Sequence, residues 1–214
     1  MNLLIVESPL QLLCAYEAIK SNPEMPYRLL LRNNGRGSND IHLYNCADSL
    51  QLNYQTFLLR PDYFKYDLLK KLPLMLDICR KEYNQVYLGS YYSSFLHALK
   101  RGLRREETYY LDDGAATLRA QLEQMKEVNK KINWFTFFNI LPLQGQKIKR
   151  HSFESLKKTC IKEKKVGSYF IGQPVEIMSG YTKNQYYNGV STIAHRFTEE
   201  SPLLYIPHRI EDIE

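Results

Sequence analysis

The chain predicts an α/β protein built on a doubly wound, parallel sheet. Three observations carry this: short apolar runs alternate with longer stretches of helical spacing, the interval between runs leaves room for a crossover helix, and polar residues mark the run ends. The first run, "NLLIVES" (2–8), reads as a buried strand. "PLQLLCAYEAIKS" (9–21) follows as a helix, with Pro9 in the first turn, where a missing N–H leaves no bond unmade.

"YRLLLR" (27–32) is the second strand, followed by the polar loop "NNGRGSND" and a helix through about Leu50. "YQTFLL" (54–59) is the third strand, and Phe64 to Tyr83 carries helical spacing. "QVYLGS" (85–90) is the fourth, with a helix from about Ser93 to Arg101. "TYYLDDG" (108–114) is the fifth, and a helix starts near Ala115.

Past Lys131 the rhythm breaks. "INWFTFFNILPL" (132–143) is dense in aromatic residues without a clean period, and the basic stretch "KIKRHSFESLKKTCIKEKK" follows. Alternation then resumes: "SYFIGQP" (168–174) reads as a strand, Lys183 to Phe197 as a helix and "PLLYIPH" (202–208) as a strand. The expected organisation is a Rossmann-like domain over 1–150, a basic connector over 151–166, and the start of a second Rossmann-like domain over 167–214. Two strands and one helix cannot bury their own faces, so the second unit packs on the first or continues past Glu214.

Hydrophobic residues make up 44% and charged residues 24%, the balance of a protein folded over most of its length. The formal charge of +6 suits an anionic ligand or an acidic leaflet. Nucleic acid is set aside, because no binding module accompanies the charge. The four cysteines are far apart, with no CxxC pair and no histidine at ligand spacing, which argues against a metal centre or a disulfide framework. The opening "MNLLIVESPL" lacks a basic n-region and no apolar stretch reaches bilayer length, so a cytoplasmic protein is expected. The seventeen tyrosines suit half-buried positions or a surface that binds rings or sugars.

Polar points fall at three predicted strand ends: Gly89-Ser90, Asp112-Asp113-Gly114 and His208. Open α/β sheets place ligands at such ends, where a carboxylate and a histidine can serve as general base and general acid. Ser8, on the turn of "VESPLQ", lacks the G-x-S-x-G elbow of a nucleophile and reads as a cap or ligand contact. The GxG in "NNGRGSND" continues neither to GxGxxG nor to a Walker lysine, so it reads as a loop. Asp112 and Asp113 could equally be turn and cap residues.

Four stretches, "MNLLIVESPLQLLCAYEAI", "YLDDGAAT", "FIGQPVE" and "LLYIPHR", occur in an order that resembles bacterial sialyltransferases. The families concerned are the lipooligosaccharide sialyltransferases (glycosyltransferase family 52) and the related capsular polysialyltransferases. The resemblance implies a GT-B-like fold of two Rossmann-type domains, acceptor-side then donor-side, with the second incomplete here. It implies inverting, metal-independent transfer of sialic acid from CMP-sialic acid, with no cofactor, to an oligosaccharide, glycolipid or capsule glycan. The family's acidic motif falls on Asp112, Asp113 and Gly114, and its late histidine on His208, with Arg209 where the family has proline. Ser8, Gln11, Gly89, Ser90, Gly172, Glu176 and Arg209 would line the substrates, and Glu176 is an alternative base. The family's serine-rich motif after the histidine does not occur before Glu214, so the native chain is expected to continue.

Chemically, a carboxylate takes the acceptor hydroxyl proton as that oxygen attacks the anomeric carbon, and a histidine or helix N-terminus neutralises the departing phosphate. "NWFTFFNILPL" beside "KIKRH" has two readings: core packing at the domain junction, or a basic-aromatic face for peripheral contact with the inner membrane. A homodimer is one open arrangement. The scaffold also accommodates another nucleotide sugar, or a non-catalytic module that binds a glycan or partner.

Overall fold

The computed structural model describes residues 1–35, 37–126, 132–159, 168–172, 182–197 and 203–206. Seven strands, β1 (Asn2–Val6), β2 (Tyr27–Asn33), β3 (Gln55–Leu58), β4 (Glu82–Leu88), β5 (Arg104–Leu111), β6 (Asn133–Thr136) and β7 (Ile148–Arg150), form one sheet in the order β3-β2-β1-β4-β5-β6-β7. Every neighbouring pair is parallel. The helices are α1 (Pro9–Lys20), α2 (Gly37–Ser49), α3 (Phe64–Lys70), α4 (Leu72–Arg80), α5 (Ser94–Gly102), α6 (Ala115–Lys126) and α7 (Glu154–Thr159). This is a Rossmann-like α/β fold.

β1 shows why the sheet needs helices on both sides. All five of its residues are buried, and alternation sends Leu3 and Ile5 to one face and Leu4 and Val6 to the other. The first face packs on Met75 and Ile78 of α4 and on Phe95, Leu96 and Leu99 of α5. The second packs on Leu12 and Ala15 of α1 and on Leu43 and Ala47 of α2. Each such aliphatic side chain contributes about 1.5–3 kcal/mol when fully buried. Chain order reverses between β1 and β4, which pair directly, so the switch point lies between their carboxyl ends. Many of the tyrosines serve the core: Tyr16, Tyr83, Tyr87, Tyr109 and Tyr110 are all buried.

Three expectations are corrected. The helical stretch 64–83 is two helices broken at Lys71, and its last residues open β4; Pro73 in the first turn of α4 has no N–H to continue the ladder of α3. The aromatic stretch 132–143 contains β6, which pairs with β5 and buries Trp134 and Phe135. Finally, the stretch expected as a connector from residue 151 contains a helix of the first unit. Ile148–Arg150 is the edge strand of the sheet, and α7 is tied to α1, because the buried Glu17 carboxylate accepts the N–H groups of Ser155 and Leu156 at 3.1 and 2.7 Å.

The chain divides into two units, Met1–Cys160 and Ile161–Glu214. The described part of the second unit is a single β-α-β motif: β8 (Ser168–Ile171), α8 (Lys183–Ala194) and β9 (Leu203–Ile206), with β8 and β9 parallel. Thr182 and Gln185 form a capping box at the start of α8. A second Rossmann-type domain is not evident. No helix among the described residues is long and apolar enough to cross a membrane.

Candidate functional site

The carboxyl ends of β1, β4 and β5 meet around one side chain, Gln11. The sequence Ser8-Pro9 starts α1 immediately after β1: Ser8 is extended at the N-cap position, and its hydroxyl accepts the Gln11 N–H at 3.5 Å. That places Gln11 one turn into the helix, with 2% of it exposed. Its Oε1 accepts the Glu7 N–H at 2.8 Å, and its Nε2 donates to Asp113 Oδ1 at 2.8 Å. Gly89, directly after β4, leaves the space that this side chain fills. A buried amide thus fixes the backbone after β1 and orients a carboxylate after β5.

Asp113 itself is half-buried at the rim, and its N–H donates to Thr117 Oγ1 at 2.9 Å. Gly114 allows the turn into α6 by adopting φ +62°, a region costly to residues with a β-carbon.

Beside this rim lies an open cleft of about 390 Å³, within the range of small-ligand sites. Glu7, Arg32, Ser90, Tyr92, Ser93 and Phe95 line it. Glu7 Oε1 accepts from Arg32 Nη1 at 2.6 Å and from Ser93 Oγ at 3.1 Å. Ser93 is also the N-cap of α5, and the Arg32 guanidinium lies 5.3 Å from the centroid of the Phe95 ring. A larger hollow of about 590 Å³ sits where β2 and β3 begin, the opposite edge from the one that open α/β sheets use for ligands.

Asp112 is a different kind of residue from its neighbour. It is fully buried, and its carboxylate accepts from Thr136 Oγ1 and from the Phe137 N–H, both at 2.7 Å. Burial raises its pKa above the ordinary carboxylate range, opposed by the bonds from Thr136, Phe137 and Thr117. His151 Nε2 stands 4.0 Å from Asp112 Oδ2, and among the described residues neither ring nitrogen of His151 has a hydrogen-bond partner. The imidazole lies between Phe135, stacked at 4.7 Å, and Phe153, edge-on at 4.7 Å, and burial pushes its pKa down. The Cys14 thiol completes a trio whose ligand atoms lie within 4.8 Å of one another, and burial holds that thiol protonated.

Of the residues that the sequence singles out, the structure gathers Gln11, Gly89 and Asp113 at one rim, with Gly114 beginning the next helix and Ser90 in the adjoining cleft. Ser8 is a helix cap. Asp112 is enclosed and braces β5 against β6. Gly172 is buried in the second unit, where its N–H extends the β8–β9 ladder to Ile206 at 2.7 Å. Glu176, His208 and Arg209 lie outside the described residues. Sequence reasoning missed Glu7 and Arg32, although both stand at the ends of predicted strands, the rule that selected the aspartates. It also missed His151 and Cys14, whose approach to Asp112 depends on β6 and β7. Comparison with family models, curated proteins and solved structures gives no match to this chain.

Proposed function

We propose that the chain is an inverting glycosyltransferase that moves sialic acid from CMP-sialic acid to a saccharide acceptor, with Asp113 as the base. The observation that carries this reading is the rim carboxylate of Asp113, oriented by the buried Gln11 amide at the switch point of a doubly wound sheet. The adjoining cleft supports a saccharide: Glu7, Arg32, Ser90 and Ser93 offer the polar edges that hydroxyls require, and Tyr92 and Phe95 offer ring faces.

In the proposed step the acceptor hydroxyl gives its proton to Asp113 as its oxygen attacks the anomeric carbon. The bond from that carbon to the phosphate oxygen breaks, and CMP departs with the electron pair. Asp112 has no part in this transfer: a carboxylate that is enclosed and twice hydrogen-bonded cannot meet a substrate hydroxyl. It holds Thr136 and Phe137, and so the floor beneath Asp113. The resemblance gives the departing phosphate to His208.

The experiment is calorimetric titration of the chain with CMP, with UMP and GMP as controls, followed by transfer from CMP-sialic acid to a lactoside. Selective CMP binding with transfer supports the reading. A folded chain that binds none of the three nucleotides overturns it for this chain, and binding of UMP or GMP instead assigns a different donor.

A further inference from the structure

Among the described residues, a dense run of exposed apolar side chains lies on α3, α4 and the residue before them. Tyr63, Tyr66, Leu69, Leu72 and Leu76 recur at intervals of three or four, and Leu69 is 69% exposed. Behind them a groove of about 390 Å³ between α3, α4 and α5 is lined almost wholly by apolar groups, among them Leu68, Met75, Phe95 and Leu99.

Charge decides what this face can meet. The same two helices carry Lys65, Lys70 and Arg80, with Lys71 at the break between them. Their two carboxylates are already engaged: Asp67 pairs with Arg60 at 2.8 Å, and Asp77 with Arg28 at 2.5 Å. Apolar and aromatic side chains are thus interleaved with basic ones that these carboxylates do not neutralise. The apolar stripe on α6 (Leu118, Leu122 and Met125) differs, because Arg119 and Glu123 beside it pair with each other.

We propose that the α3–α4 face docks on the surface of an anionic bilayer. Leu69, Leu72 and Leu76 enter the boundary of the acyl chains, Tyr63 and Tyr66 sit among the headgroups, and the lysines lie over lipid phosphates. The proposal rests on this surface alone, so it and the transferase reading can fail separately.

The test is flotation of the full chain with vesicles of phosphatidylcholine containing roughly one part in three of phosphatidylglycerol, against phosphatidylcholine alone. The chain should float with the anionic vesicles only, and added salt should release it. Leu69→Glu with Leu76→Glu, both at exposed positions, should abolish flotation while circular dichroism and CMP titration stay unchanged. Each of Lys65→Gln and Lys70→Gln should weaken binding by about fivefold. Equal flotation with neutral vesicles, or anionic flotation that the leucine substitutions leave intact, overturns the proposal. So does a dimer in sedimentation that the same substitutions dissociate, since a second copy would then cover the face.

Discussion

A β-carbon at position 89 would stand 2.0 Å from Gln11 Oε1 and 2.7 Å from Gln11 Cδ, so Gly89 and Gln11 occupy what is one side chain's space. The Ile5 carbonyl, 3.2 Å from the same point, closes the other side. Gly89→Ala should therefore expel the Gln11 amide, destabilise the fold by about 1–3 kcal/mol as an overpacked core does, and leave Asp113 unoriented. Urea denaturation reads the first effect and transfer activity the second. Adding Gln11→Ala removes the clash, so the double variant should be more stable than Gly89→Ala alone; additive losses would mean that the two residues do not compete.

The two adjacent aspartates should part company on substitution. Asp113→Asn keeps the shape and an oxygen for Gln11 to bond, so stability should change by less than about 1 kcal/mol while transfer falls about 10²–10⁴-fold. Asp112→Asn puts an NH₂ group against either the Thr136 hydroxyl or the Phe137 N–H. One buried donor then loses its acceptor, at a cost of about 1–3 kcal/mol in thermal or urea denaturation. Transfer within tenfold of wild type in Asp113→Asn would remove Asp113 from the base role.

That division was not legible in the sequence, and the reason lies in β6. Continuous apolar runs bounded by Pro9 or by polar clusters disclosed β1 to β5, because both faces of a central parallel strand are buried. β6 is also covered on both sides, with Trp134 in one core and Phe135 in the other, yet its four residues sit among further aromatics that blur any period. β7 is a three-residue edge strand containing Lys149 and Arg150, and such charges are what protects an edge and what makes it read as a linker. With β6 unseen, Thr136 could not be recognised as the partner of Asp112. The Gln11–Asp113 bond spans 102 residues, so nothing local announces it, and the strand-end rule by itself pointed to Asp112 and Asp113 alike.

Glu17 offers a separate test of where the first unit ends. The buried Glu17 carboxylate caps two N–H groups in the first turn of α7, and this six-residue helix is too short to persist without tertiary support. Glu17→Ala should cost about 2 kcal/mol, the scale of a lost charged hydrogen bond and cap, and should expose the chain near Ser155 to proteolysis. Unchanged proteolysis would place 154–159 outside the cooperative unit.

Acid should reveal the buried pair of Asp112 and His151. Burial lowers the folded pKa of His151 below its usual value of about 6.5, so on acidification the unfolded chain takes up that proton first. Stability is therefore lost as pH falls from about 6.5 towards the depressed folded value. Asp112 works in the opposite sense: its folded pKa is raised, so its contribution is fully present below the ordinary carboxylate range and is lost as pH rises through the raised value. His151→Phe removes only the first effect, keeps a ring between Phe135 and Phe153, and relieves the two unpartnered nitrogens. The variant should match or exceed wild type near pH 7.5 and gain on it towards about pH 5.5, as read from urea midpoints at the two values. Parallel losses in both proteins would show that the acid sensitivity of the fold resides elsewhere than in this imidazole.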